Sequence, residues 1–512
     1  MAIGRAKRSA INIGFSLVNR VVAMLLPFAI RTIMIYTIGI VYLGVDSLFS
    51  SILNVLSLSE LGFSSAIVYA MYKPIAQNDN EKVKALLTFY KKVYRIVGLV
   101  ILGLGVIILP FIKWFIAEGT EYPQDINIYV VYSILLFNTG ISYFLFAYKS
   151  SILVATMRND LESLIDTGRS IISHGLQILA LLLFRQYYLY IIILPIVTVL
   201  NDLVRNFIID KRYPQYKGTA NISAEDKKDL LTRVGALIGN KIGGVFFTSV
   251  DSIVISKFLG IILLAQYTNY LTIYNAVFAI EGTIYLSFQS VIGNSLVVES
   301  KEQNLKLFKD LFIINMVFTC ICTCCFATLY QPFIAFWVGV ENVLPIEIPL
   351  MLAIYFFIRS IRRICYVFKE ALGMWREDFL KPYVSVIVNL VVNIVLVKTI
   401  GLVGVVISSA VAILFIEIPW ESTVLFKKYF KMNPLGYFGD MSIAFLLGAI
   451  CFLGSYYICE YIQGNVFGII LRFIITVAVC LAILLPILMT TKYGKSVFTR
   501  LQNLLFKKRG KL

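Results

Sequence analysis

Few side chains in this sequence can do chemistry, and those that can are embedded in long apolar runs. Arg20, Arg31 and Lys241 offer fixed positive charge, and Asp46, Glu60, Asp251 and Glu281 offer carboxylates. Asn19, Asn54, Asn240, Asn275 and His174 add neutral polar groups. A charge at the centre of a bilayer costs about 2.5–3.5 kcal/mol on insertion scales, so such residues face a cavity or one another. Arg20 and Arg31 are three helical turns plus about 20° apart and so share one face. Two guanidiniums on one stripe suit a phosphate-type anion. The carboxylates suit gating or ion coupling. Set against this is a purely structural reading: Arg20 with Glu60, and Lys241 with Glu281, as salt bridges between helices, the asparagines as interhelical glue, and His174 as a hydrogen-bonded packing residue rather than a proton carrier.

Catalysis and metal binding find no support. There is a single histidine, and the eight cysteines lie within apolar runs as small buried hydrophobes. No Walker motif, nucleotide-binding Gly-rich loop or extended aqueous stretch is present. The expectation is a protein with no cofactor, no metal and no enzymatic activity.

The elements that position these residues are membrane spans. Hydrophobic residues make up 59% of the 512 and charged residues 15%, against roughly 45–50% and 25% in soluble domains. Apolar stretches fall at about 12–38, 44–72, 93–116, 127–152, 163–184, 188–210, 234–258, 262–296, 310–337, 347–368, 380–399, 402–426, 439–461 and 466–490. Most are long enough to cross a core of about 30 Å. The fold class is therefore an all-α polytopic membrane protein with about 14 transmembrane helices.

The net charge of +17 excludes nothing by itself, but its distribution argues against nucleic acid. With the N-terminus in the cytoplasm, alternate gaps and the tail collect 34 of the 46 basic residues, while the outer loops hold Arg185, Lys257 and Lys398. This is a positive-inside pattern with both termini cytoplasmic, and it accounts for most of the charge as orientation and contact with anionic lipids. On the same reading Arg205 with Asp202 is an interfacial anchor, and Arg359, Arg362 and Arg363 contact lipid phosphates. Glu417 and Arg472 have no assigned role.

A repeat organises the spans. Asn19-Arg20 matches Asn240-Lys241, Gly39-Ile40 matches Gly260-Ile261, Asn54 matches Asn275 and Glu60 matches Glu281, all at one offset of 221 residues. The expected domains are a six-helix lobe at 1–210, a cytoplasmic linker at 211–233, a second six-helix lobe at 234–431, a terminal helix pair at 432–490 and a basic tail at 491–512. Two parallel six-span units facing a central cavity suit alternating access.

The stretch from Leu53 to Phe63 (Leu-Asn-Val-Leu-Ser-Leu-Ser-Glu-Leu-Gly-Phe), with Ala66, Tyr72-Lys73-Pro74-Ile75-Ala76, Tyr90-Lys91-Lys92-Val93-Tyr94-Arg95 and the Asn19-Arg20 start, resembles the polysaccharide-repeat-unit flippases of bacterial envelope synthesis. These belong to the multidrug/oligosaccharidyl-lipid/polysaccharide exporter superfamily. The resemblance implies a two-lobed fourteen-helix bundle in the bacterial plasma membrane. It also implies translocation of undecaprenyl-diphosphate-linked oligosaccharide to the outer leaflet (O-antigen, capsule or exopolysaccharide). By this similarity Arg20, Arg31 and Lys241 meet the diphosphate, and Asp46, Glu60, Asp251 and Glu281 gate or couple. An ion gradient or the membrane potential supplies energy. The envelope polysaccharide polymerase and chain-length regulator are implied partners, and a monomer suffices. Two rivals share the fold: an ion-coupled multidrug or small-molecule exporter, and a lipid II flippase.

Overall fold

A chain this apolar must satisfy its backbone hydrogen bonds internally, and helices do so within each segment. The computed structural model describes residues 2–57, 63–120, 122–374, 376–491 and 494–495, and their side chains except those of 2–13, 16–17, 229 and 233–248. Among the described residues every regular element is helical. In order these are α1 (Ala2–Thr37), α2 (Ile40–Leu56), α3 (Phe63–Ala76), α4 (Asn80–Ile108), α5 (Ile128–Phe144), α6 (Ser150–Ala155), α7 (Asn159–Phe184), α8 (Tyr187–Arg212) and α9 (Ala224–Leu259). Then come α10 (Ile261–Val298), α11 (Lys301–Val338), α12 (Glu347–Ile361), α13 (Arg363–Ala371), α14 (Lys381–Ala412), α15 (Ile418–Thr423), α16 (Leu435–Glu460) and α17 (Val466–Thr490).

Among the described residues nine helices are long and apolar enough to span a bilayer, and α5 forms a bent pair with the segment Ala147–Ala155 at 51°. Every apolar stretch of the sequence is helical over most of its length, as expected for an all-α polytopic membrane protein. Several stretches differ in detail, two of them instructively. The expected single span 44–72 is two helices, α2 and α3, with 58–62 outside the described residues. The span at 93–116 begins earlier, because Asp79 caps α4 by accepting from the Lys82 amide at 2.9 Å.

The chain sorts into two compact units, Met1–Ala265 and Gln266–Leu512. In the first, α1 packs along α7, α7 and α5 along α8, α4 on α5, and α2 on α9. The Gly-Ile pairs of the repeat form the same helix-ending turn. Gly39 (φ 109°) and Gly260 (φ 96°) each donate to the carbonyl five residues back, Met34 at 3.1 Å and Ile255 at 3.0 Å. A Cβ at that φ is strained, so glycine stands at both.

In the second unit α11 is the hub, touching α12, α16 and α17. Arg472 of α17, without a role on sequence grounds, donates to the carbonyls of Ile462 (2.5 Å) and Thr328 (3.3 Å), which ties α17 to α11. Helix α14 is broken at Ile400 and Gly401 (φ 61°, ψ −137°). Its two arms fold back as a hairpin, and Gly404 lies so close to Leu396 that a Cβ would meet the Leu396 carbonyl oxygen at 2.5 Å.

Candidate functional site

Four clusters gather many of the described intramembrane charges. In the first unit, Arg31 of α1 and Asp46 of α2 interact electrostatically, with Tyr190 of α8 beside both and Tyr187 beside Asp46. Tyr42, one turn before Asp46, donates to Asp125 Oδ1 at 2.6 Å. The guanidinium and the carboxylate are electrostatically coupled beside two tyrosines, which offsets part of the cost of burying either charge.

The second cluster belongs to α7 and α8. Arg205 donates to Asp202 Oδ1 at 2.9 Å, Asp166 Oδ1 at 3.0 Å and Glu162 Oε1 at 3.2 Å. Arg205 and Asp202 are 7% and 2% exposed, so the expected interfacial anchor is instead a buried ionic tie between two helices. The physical reason is periodicity: Glu162 and Asp166 are one turn apart on α7 and present both carboxylates to α8. Nearby, Lys149 donates to Asn206 Oδ1 and Asp210 Oδ1, both at 2.5 Å.

The third cluster lies in the second unit, where the α14 hairpin meets α12 and α13. Arg362 Nη2 is 2.5 Å from Glu417 Oε2, and its Nη1 donates to Glu421 Oε1 at 2.8 Å. Lys381 pairs with Glu421, and with Asp378 at 3.1 Å, and Asp378 pairs with Lys369. Ser385 donates to Glu417 at 3.0 Å, and Asn389 bonds Ser408 and Ser409 at 3.2 and 3.1 Å. Glu417 closes a π turn (Ile413–Glu417) and α15 carries Glu421. The three cations and three carboxylates balance, so this buried network is self-neutralising. Glu417 thereby gains its partners, and Arg362 is removed from the expected lipid contact.

Glu281 forms the fourth. It is 1% exposed on α10 and accepts from the Tyr285 hydroxyl at 3.1 Å. Tyr285 also bonds Asn315 of α11, which donates to the Ser360 carbonyl at 2.9 Å. The cations near Glu281 are Arg363 and Arg359. Arg359 stacks over Phe278 with its guanidinium carbon 3.9 Å from the ring centre, and Arg363 lies 5.2–5.5 Å from the rings of Phe278, Tyr285 and Tyr366. The chain turns from α12 to α13 at Arg362, and this break splits the three arginines: one goes into the hairpin network, while two share the Glu281 face. The two guanidiniums share an aromatic, half-buried setting with the Glu281 carboxylate, with Glu370 acting on Tyr366 beside Arg363; two guanidiniums so gathered suit a planar or phosphate-type anion. Sequence reasoning placed these two arginines at lipid. Their i,i+4 spacing was the available signal of a shared face.

The remaining candidates are dispersed. Arg20 is exposed on α1, and Asn54 and Asn275 are exposed on α2 and α10. Asn19 accepts from Thr167 of α7 at 3.1 Å. Asp251 is buried on α9. The His174 ring nitrogen is 2.8 Å from the Ser170 carbonyl on its own helix, the packing arrangement. Asn240 and Lys241 lie on α9, but their side chains, like Glu60, fall outside the described residues. Among the described residues no group of three metal-ligating side chains is present.

No protein-family model matches the chain, and neither does any curated protein sequence. Solved structures do. The lipid II flippase MurJ, in an inward closed conformation, superposes with a TM-score of 0.66 at 17% identity, covering 93% of this chain and 98% of the flippase. A multidrug resistance MATE family transporter of the MOP superfamily, inward-facing, gives 0.58 at 15% identity over 78% of this chain and 93% of its own. A variant of the Vibrio cholerae MATE transporter VcmN gives 0.53 at 14% identity over 81% and 95%. At these identities the common property is the fold: this chain is a multi-pass helical membrane protein with the architecture of the lipid II flippase and the multidrug transporters.

Proposed function

We propose that this chain is a flippase that carries undecaprenyl-diphosphate-linked oligosaccharide repeat units from the cytoplasmic to the outer leaflet of a bacterial plasma membrane, with both termini cytoplasmic. The observation that carries the reading is the pair of aromatic-stacked arginines, Arg359 and Arg363, gathered near the carboxylate of Glu281. A diphosphate head needs cations inside the membrane region, and guanidinium provides bidentate donors that survive desolvation. Arg20, Arg31 and Lys241 are the further cations proposed along its route. Asp46 and Glu281 each face an arginine, so neither offers the bare carboxylate a cationic drug would need. The likeness to a lipid II flippase over 93% of the chain supports a lipid-linked substrate over a soluble one.

Export of surface polysaccharide in cells lacking their own repeat-unit flippase tests this. The Arg359→Gln/Arg363→Gln double variant is expected to lose about tenfold or more of export at equal protein level, from two lost charge-assisted contacts. Full export by that variant, and by Arg20→Ala, Arg31→Ala and Lys241→Ala, would sink the diphosphate contact. The same structural likeness favours one second reading, a lipid II flippase. Rescue of cells depleted of lipid II flipping, without rescue of polysaccharide export, would select it.

A further inference from the structure

Apart from the four charge clusters, the first unit contains a polar cavity of about 460 Å³ where the end of α8 and the strap after it close over α4. Lys91, Lys149 and Lys217 line it, together with Asp210, Tyr148 and Tyr216. Lys149 is committed to Asn206 and Asp210, as described above. Lys217 reaches the same carboxylate at 3.8 Å, with its side chain 55% exposed. The Lys91 ammonium rests 6.0 Å from the centre of the Tyr148 ring, and it has no ion pair or hydrogen bond among the described residues. Three ammonium groups and one carboxylate therefore line the cavity, two of the three reaching the carboxylate.

The strap is held open rather than collapsed onto these lysines. Tyr213 and Tyr216 stack at 5.9 Å with planes 14° apart, and the Tyr213 hydroxyl bonds Thr156 at 2.9 Å. Beyond them Gly218 (φ 107°) turns the chain so that the Ala220 amide can donate to Thr88 Oγ1 at 3.3 Å. The cavity sits beside the basic last turn of α8, Lys211 and Arg212, where apolar helix gives way to polar chain.

We infer that this cavity is a binding site for a phosphate-bearing anion, with the headgroup of an acidic glycerophospholipid as its occupant. Lys91 and Lys217 meet the phosphate, Lys149 stays with Asp210, and Tyr148 and Tyr216 wall the glycerol side. Net positive charge, an open ammonium and a position at the apolar boundary are the features that select an acidic headgroup over a zwitterionic one. A soluble phosphate ester shares the chemistry but gains nothing from the adjoining lipid-facing helices.

Native mass spectrometry of the full chain, released from detergent and titrated with phosphatidylglycerol, phosphatidylcholine or glycerol phosphate, tests the site. Phosphatidylglycerol is expected to bind in preference to phosphatidylcholine, and glycerol phosphate in large excess to leave it bound. Each lysine near a headgroup is worth about fivefold in affinity. Lys91→Gln/Lys217→Gln should therefore lower phosphatidylglycerol retention about thirtyfold, and Lys91→Arg/Lys217→Arg should retain it. Displacement by glycerol phosphate would replace the lipid by a soluble ligand and overturn the lipid assignment. Equal retention by the Gln variant, at unchanged thermal stability, would overturn the site itself.

Discussion

The two units solve one problem with opposite polarity. In the first, a single guanidinium on α8, Arg205, gathers carboxylates from α7 and from its own helix. In the second, the carboxylates are on the later element, Glu417 and Glu421, and gather cations from the turn between α12 and α13 and from the first arm of the hairpin. At the offset of 221 residues, Asp202 and Arg205 fall on Thr423 and Phe426, so the sequence match does not extend to these charges. Yet Gly39 and Gly260 keep the same turn to within 13° in φ. What the two sequence-matched segments around Gly39 and Gly260 have in common is backbone geometry. Helix-to-helix ties can be built in either sense, because only pairing, and not sign, removes the cost of a buried charge.

Burial sets the sizes of the effects that would break this parallel. Glu421→Gln should destabilise most, by about 3–5 kcal/mol, because it leaves an excess cation in a network whose members are almost all buried. Thermal unfolding in detergent measures it, and an unchanged midpoint would mean that the network holds nothing together. Arg205→Met strands three carboxylates, but Glu162 and Asp166 keep 17% and 37% side-chain exposure and can hydrate. About 3 kcal/mol, the lower end of the same range, is expected there. Asp166→Asn removes the wettest of the three and should cost under about 1 kcal/mol. If it matched Arg205→Met, the first unit would depend on every partner and not on the central cation.

The smallest effect belongs to the linker. Asp226, at the start of α9, accepts from Lys82 at 2.9 Å and from Ser223 at 2.7 Å, and these bonds hold its carboxyl below the usual range. A depressed acid stabilises the folded form above its unfolded value and loses that contribution as pH falls through its folded value. Lys82 stays charged throughout. Hydrogen exchange in 213–226 should therefore quicken only below the ordinary carboxylate range, and slightly, since both side chains are over a third exposed or nearly so. Exchange that already quickens near neutrality would point to a different latch.

The spans were legible because lipid leaves a compositional signature that no tertiary detail can hide. The Gly401 turn was legible too, as the short gap between two apolar runs. The ionic ties were not. Arg205 and Glu162, or Arg362 and Glu421, are brought together by helix phase, which sequence spacing fixes only within one helix. One signal was present and unread: Lys381 and Glu421 are equidistant from Gly401, as are Ser385 and Glu417. A hairpin turning at that glycine must pair them. Of the proposed anion-contacting residues, Arg31 is electrostatically coupled to Asp46 on the next helix, a neighbour its spacing from Arg20 did not indicate. Arg359 and Arg363 emerged only once the break at Arg362 set their direction.

The mirror arrangement about Gly401 also bears on how the protein is made. An arm entering lipid alone would expose its lysine or its glutamates to hydrocarbon, at a cost of the order of 2.5–3.5 kcal/mol for each charge near the centre. Folded at the glycine, the arms present Lys381 to Glu421 and Ser385 to Glu417 before either meets the bilayer. The nascent segment from Lys381 to Thr423 is thus suited to leave the translocon as one paired helical hairpin, with Lys381 already paired to Glu421 and with Glu417, held by the Ser385 hydroxyl, left for Arg362 to neutralise.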